Sequence, residues 1–298
     1  MQHPKYFIFL LISICSTQLF AQKLVIPFEL TSYNNISINA TFNKMDTVNL
    51  MFHTAASSLT LTEDAVKKMS SLVFDRTDSV KSWGGNENTS RFSKKNTLQI
   101  GNRQWEHVSI WENMNSGPQT GGKFGIDLFE GKSIEIDFDK KVIVLHPKLP
   151  GKARRFEKLK LIYENEMMFV EAGCEVGGKL LVNRFLIHSG YSGSVLLDDQ
   201  FTAVNKIDGQ LKIVDQKALK DSFGNILMTK KAVLPSFKLG SKHMTNIPVG
   251  FFTGALGRQK MSIIGGDLLK RFNMIIDTER ANIYLQESKL KNSEYYRG

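Results

Sequence analysis

Leu50-Met51-Phe52-His53-Thr54-Ala55-Ala56-Ser57 and Phe185-Leu186-Ile187-His188-Ser189-Gly190-Tyr191-Ser192 follow one plan. An apolar run ends in a histidine, a hydroxyl residue follows, and a small residue comes next. Downstream of the first stretch lie Phe124-Gly125-Ile126-Asp127-Leu128-Phe129 and Ile134-Glu135-Ile136-Asp137-Phe138. Downstream of the second lie Ile264-Gly265-Gly266-Asp267-Leu268-Leu269 and Met274-Ile275-Ile276-Asp277-Thr278. The copies are offset by 135 residues at the histidines, 139 at Gly101 and Gly240, and 140 at Asp127/Asp267 and Asp137/Asp277. Loop insertions produce such a drift, so the chain is a tandem repeat, and the repeat decides the architecture.

Short strands dominate both copies. Thr31 to Phe42 and Val48 to His53 form a hairpin around Asn43-Lys44-Met45-Asp46. Met168 to Val176 and Leu180 to His188 mirror it around Gly177-Gly178-Lys179. A helix starts after each histidine strand, capped by Thr62 in the first copy and opened by Asp198-Asp199 in the second. Short helical turns are expected at Leu128-Phe129 and at Leu268 to Arg271. Each copy then closes on one alternating strand, Ser133 to Leu145 and Phe272 to Leu285. Many short strands with regular turns predict barrel or sandwich lobes.

These motifs resemble those of a bacterial member of the aspartic peptidase superfamily (pepsin-like and retropepsin-like proteins), over most of the mature chain. In that family each lobe carries an apolar strand ending in Asp-Thr/Ser-Gly, and later an apolar pair followed by Gly. His53-Thr54-Ala55 and His188-Ser189-Gly190 stand at the Asp-Thr-Gly positions. Phe124-Gly125 and Ile263-Ile264-Gly265 stand at the apolar-Gly positions. The resemblance implies an all-β chain of two related β-barrel-type lobes in a pepsin-like bilobal arrangement. Residues 1–21 would be a signal peptide, 22–150 the N-terminal lobe and 151–298 the C-terminal lobe. It also implies a site at His53 and His188, scaffolded by Thr54, Ala55, Ser189, Gly190, Gly125 and Gly265. The family's flap hairpin would fall at Trp83-Gly84-Gly85, as a binding element. The departures are as clear: both family aspartates are absent, and Ala55 replaces the first glycine.

Two aspartates facing each other share one proton, one acting as base on a water and the other as acid. The hydroxyls of Thr54 and Ser189 and the small Gly190 keep the loop scaffold, while the charge of the pair is lost. Imidazole titrates near pH 6.5, so a histidine pair carries between zero and one positive charge. Three readings of the pair follow. The cleft survives as a groove for a peptide or extended chain without cleavage by the aspartate mechanism. Alternatively the His53/His188 dyad works as base and acid in a hydrolase. Lastly, the pair binds a metal, for which two imidazoles supply only half a structural zinc site. The first is preferred, with no metal and no cofactor expected. Asp127 and Asp267 are expected in capping or loop roles, and His107, His146 and His243 as structural or solvated side chains.

Composition bounds the setting. Lys5 followed by the apolar run Phe7 to Cys15, with Leu19-Phe20-Ala21-Gln22 behind it, predicts export with cleavage after Ala21 into a periplasmic or secreted location. Cys15 leaves with that segment, and Cys174 is expected as a lone, buried, inert thiol. The formal net charge is +10. The densest basic run, Lys148 to Lys160, contains Pro147, Pro150 and Gly151 and reads as a solvated linker between the copies. Nucleic acid is excluded as a partner for want of aromatic-basic interleaving. A basic face fits contact with anionic surface polymers or lipids. That leaves a cell-envelope interaction module as a further alternative.

Overall fold

The computed structural model describes residues 23–81, 87–220, 226–252 and 259–296. The expected signal segment 1–21 and Trp83-Gly84-Gly85 lie outside them. The fold is all-β, two barrel lobes joined by a shared sheet, with a few short helices.

In the first barrel, strand Ile36–Phe42 pairs with Asp46–Phe52 and also with Glu87–Ile100, which closes a ring through Arg103–Asn113, Leu59–Thr62 and Gly122–Phe124. The second barrel repeats the ring with Met167–Val176, Lys179–His188, Ser262–Gly265, Val195–Leu196, Lys242–Phe252 and Ile226–Leu239. The hairpins that carry the histidines turn where the sequence places them. Asn43 and Lys44 both have positive φ, 49° and 59°, as do Gly177 and Gly178 in the second copy, 57° and 73°. Each barrel is filled by aromatic side chains that are fully buried: Phe42, Phe52, Phe124 and Phe129 in one, Phe185, Phe237 and Phe251 in the other. Burying one such side chain contributes about 1.5–3 kcal/mol. Cys174 joins this core, and burial pushes its thiol up to about 12, so it is inert as expected.

The shared sheet has six strands in the order Leu24–Pro27, Val142–His146, Ser133–Asp137, Phe272–Ile276, Asn282–Glu287, Glu157–Lys160. At its centre Glu135 pairs with Ile275, its own counterpart at the 140-residue offset, with Ile134 opposite Ile276 and Ile136 opposite Met274. A pseudo-two-fold axis therefore passes through this pair. Two sequence expectations are corrected here. The closing segments are hairpins, not single strands. The first turns at Lys141, with φ 53°. The second turns around Arg280, with φ 56°, where the Asp277 carboxylate accepts from the Ala281 N–H and the Asn282 side chain. The basic linker is in part structural. Ala153 and Phe156 pack on Ile275 and Tyr284, and Glu157–Lys160 becomes an edge strand of the sheet. Lys152 reaches down to buried Glu135, which also bonds His146 at 2.8 Å.

The short helices start where their caps predict. Thr62 accepts from the Ala65 N–H ahead of Glu63–Val66, and Asp198 accepts from the Phe201 N–H ahead of Asp199–Val204.

Candidate functional site

Each histidine strand ends beside the strand of its own lobe that carries the apolar-Gly motif. In the first lobe Phe52 lies opposite Phe124 in a parallel pair, and the His53 N–H donates to the Phe124 carbonyl at 2.9 Å. In the second, His188 lies opposite Gly265. A side chain at either glycine would strike backbone. A Cβ on Gly125 would meet the Ala56 carbonyl, and one on Gly265 the Gly193 carbonyl. The loops after each histidine fold back so tightly that only glycine fits beneath them.

The two loops are locked together across the pseudo-two-fold. The Thr54 hydroxyl donates to the Ile187 carbonyl at 2.6 Å and accepts from the Ser189 N–H at 3.0 Å. The Ser189 hydroxyl donates to the Phe52 carbonyl at 2.7 Å and accepts from the Thr54 N–H at 3.0 Å. Both residues are buried, so these bonds satisfy groups that have no water to turn to. The scaffold role expected of Thr54 and Ser189 is thus a reciprocal clamp. Asn35, not singled out in the sequence, adds a bond from its side-chain amide to the Ser189 carbonyl at 2.9 Å, and Asn34 donates to the Ser192 carbonyl at 3.0 Å. The adjacent Asn-Asn pair in a turn, with Asn34 at φ 61°, was the available signal.

This clamp brings His53 and His188 face to edge, with ring centroids 4.4 Å apart and planes at 61°. The pair is not symmetric. The His53 ring occupies the space where a side chain on residue 190 would sit, so Gly190 is required by close approach to the ring. Ala55, at the matching loop, carries a Cβ that packs against an apolar cluster of the second lobe. The His53 Nδ1 accepts from the Ala55 N–H at 3.2 Å, which places the proton of the neutral ring on Nε2. The His188 Nδ1 is buried and has no hydrogen-bond partner among the described residues.

Burial holds both imidazoles below their ordinary range. His53 lies well below 6.5 through burial, the neighbouring His188 and Lys123. His188 is lowered to about 4, chiefly by burial, with Lys123 adding to the effect. The pair is therefore neutral at neutral pH, and titration near 6.5, expected from the sequence, is displaced downward. Among the described residues no cluster of three or more His, Cys, Asp or Glu side chains is placed to hold a metal ion.

Above the pair opens a cleft of about 1360 Å3 lined by both lobes, including His53, His188, Ala55, Gly190, Tyr191 and Lys123. Asp267 does not reach it. It is fully buried, bound by the Ser194 hydroxyl at 2.7 Å, the Tyr296 N–H at 3.0 Å and the Lys270 ammonium at 2.8 Å.

The architecture is that of the pepsin-like bilobal fold. Among solved structures, the chain is similar to the aspartic proteinase from Irpex lacteus, with a TM-score of 0.59 and 13% sequence identity over 92% of this chain and 100% of that one. At that identity the likeness shows the fold alone. No protein-family model matches the chain, and no curated protein does.

Proposed function

We propose that the chain is an exported protein of pepsin-like fold whose inter-lobe cleft binds a peptide or extended chain without cleaving it. The observation that carries this is the clamped, neutral imidazole pair at the base of the cleft. Peptide hydrolysis there needs a base for water and an acid for the carbonyl or leaving amine. A ring titrating at about 4 is a weak base, and its neutral neighbour is a far weaker acid than a protonated carboxyl. The cleft is lined by both lobes, as a groove for an extended ligand requires. Export is supported by Lys5 and the apolar run Phe7 to Cys15. No helix of the described residues is long and apolar enough to cross a membrane.

The test is equilibrium retention of a random-sequence synthetic peptide library by the purified protein, with an Ala55→Trp variant that obstructs the floor of the cleft beside the histidine pair. Retention by the parent and loss in the variant is the expected result. Equal retention by both would place any binding outside the cleft and overturn the reading.

A further inference from the structure

The two walls of the cleft are built from matching strands, yet they differ in chemistry at two matched positions that line it. On the first lobe, Lys123 lies opposite Met51 in a parallel pair and opposite Thr60 in an antiparallel one. On the second, Ile263 lies opposite Leu186 and Leu196 in the same two registers. Lys123 thus corresponds to Ile263, and Thr60 to Leu196, and all four line the cleft.

The second wall carries an apolar patch that is already assembled. Leu186, Leu196 and Ile263 form a buried cluster with Phe169 and Phe252, separate from the main core, with Met167 and Met261 packed on its edge. At the matched place the first wall is polar and cationic. The Thr60 hydroxyl is buried and has no hydrogen-bond partner among the described residues. Such an orphan is costly unless a ligand satisfies it. Lys123 stands next to it, close enough that its charge bears on both histidines. Lys68 lines the same wall. The two carboxylates there are engaged by their own lobe. Asp46 accepts from the Ser70 and Ser71 N–H groups at 3.2 and 2.8 Å, and Asp64 pairs with Lys67 at 3.1 Å.

We propose that the cleft selects an extended peptide carrying a carboxylate side chain beside an aliphatic one. The carboxylate lies on the first wall against the Lys123 ammonium and the Thr60 hydroxyl. The aliphatic side chain lies on the second wall against Leu186, Leu196 and Ile263. The backbone passes over the histidine pair, where a backbone carbonyl accepts from His188 Nδ1–H. A neutral pair suits this arrangement, because it leaves the charge recognition to the lysines of the wall. The inference rests on the peptide-binding reading of the cleft and adds its selectivity.

The test is fluorescence anisotropy at pH 7 with labelled peptides that differ at two adjacent central positions: Glu-Leu, Gln-Leu, Glu-Glu and Glu-Ser. Glu-Leu is expected to bind about tenfold more tightly than Gln-Leu, as a charge-assisted contact in a partly dry site does. Glu-Ser is expected to lose about tenfold through the missing apolar burial. Lys123→Gln should remove the Glu-over-Gln preference while leaving Gln-Leu affinity unchanged. Ile263→Lys mirrors the first wall on the second and should create a preference for Glu-Glu over Glu-Leu, a gain that misfolding cannot imitate. Equal binding of Glu-Leu and Gln-Leu by the parent, or a uniform loss in Lys123→Gln, would overturn the selectivity and leave the peptide-binding reading standing. Binding of none of the four peptides would sink both.

Discussion

His53 and His188 carry the chemistry of this molecule by what burial does to them. Both titrate lower in the folded chain than the 6.5 of a free imidazole. The folded state therefore binds fewer protons than the unfolded one, and stability rises with pH. The contribution is complete above about pH 6.5 and is lost as the pH falls towards 4. For His188, a fall from 6.5 to about 4 corresponds to about 3 kcal/mol, at about 1.4 kcal/mol per unit. Urea unfolding at pH 7 and pH 4.5 should show a parent that weakens markedly and a His188→Gln variant that weakens less. A His188 ring that titrates near 6.5 by NMR would contradict the burial account. Gly190 makes a second, sharper point. Gly190→Ala places a methyl against the His53 ring and should destabilise by about 1–3 kcal/mol. In the His53→Ala background the same change should cost less than half as much, as a thermal-denaturation double-mutant cycle would show.

At the scale of elements, the clamp between the two histidine loops is the joint of the molecule. Thr54→Val keeps the shape and removes the hydroxyl, leaving the buried Ser189 N–H and the Ile187 carbonyl without this partner. The expected loss is about 1–3 kcal/mol in denaturant unfolding, and Thr54→Val with Ser189→Ala should cost less than the sum. An additive double variant would mean the four bonds act independently. These loops were legible in the sequence because a repeated motif marked them, and the hairpins were legible because Asn43-Lys44 and Gly177-Gly178 announced their turns. The closing hairpins were not. Alternation holds from Ser133 to Phe138 and apolar residues resume at Val142, so Asp139-Lys140-Lys141 passes for a polar stretch of one strand, while the side-chain bonds of Asp277 and the positive φ of Lys141 and Arg280 reveal the reversals. The edge strand Glu157–Lys160 was hidden for a different reason. Its charges dominate its composition, while the residues that anchor it, Ala153 and Phe156, become informative only once Ile275 and Tyr284 are seen beneath them. Lys123 and Thr60 were readable in principle. Aligning the copies at Gly125 and Gly265 sets Lys123 against Ile263, and a lysine among apolar matches stands out. The orphaned Thr60 hydroxyl needed three dimensions.

As a whole, the molecule is two copies of one barrel arranged about an axis that passes through the Thr54–Ser189 clamp and the Glu135–Ile275 pair. The near-constant offset between the copies is the trace of that axis in the sequence. The fold keeps what a two-lobed cleft needs: glycines beneath the loops, hydroxyls across them, and apolar strands behind. Its centre holds a neutral imidazole pair, and polarity is distributed unequally between the walls. The proposed binding without turnover rests on that centre. The direct test is mass spectrometry of a defined synthetic peptide library, rich in adjacent acidic and aliphatic residues, incubated with the purified protein from pH 3 to pH 8 alongside the His53→Gln and His188→Gln variants. An intact library at every pH is the predicted result. Cleavage by the parent that disappears in either variant would contradict it and assign the histidine pair to catalysis.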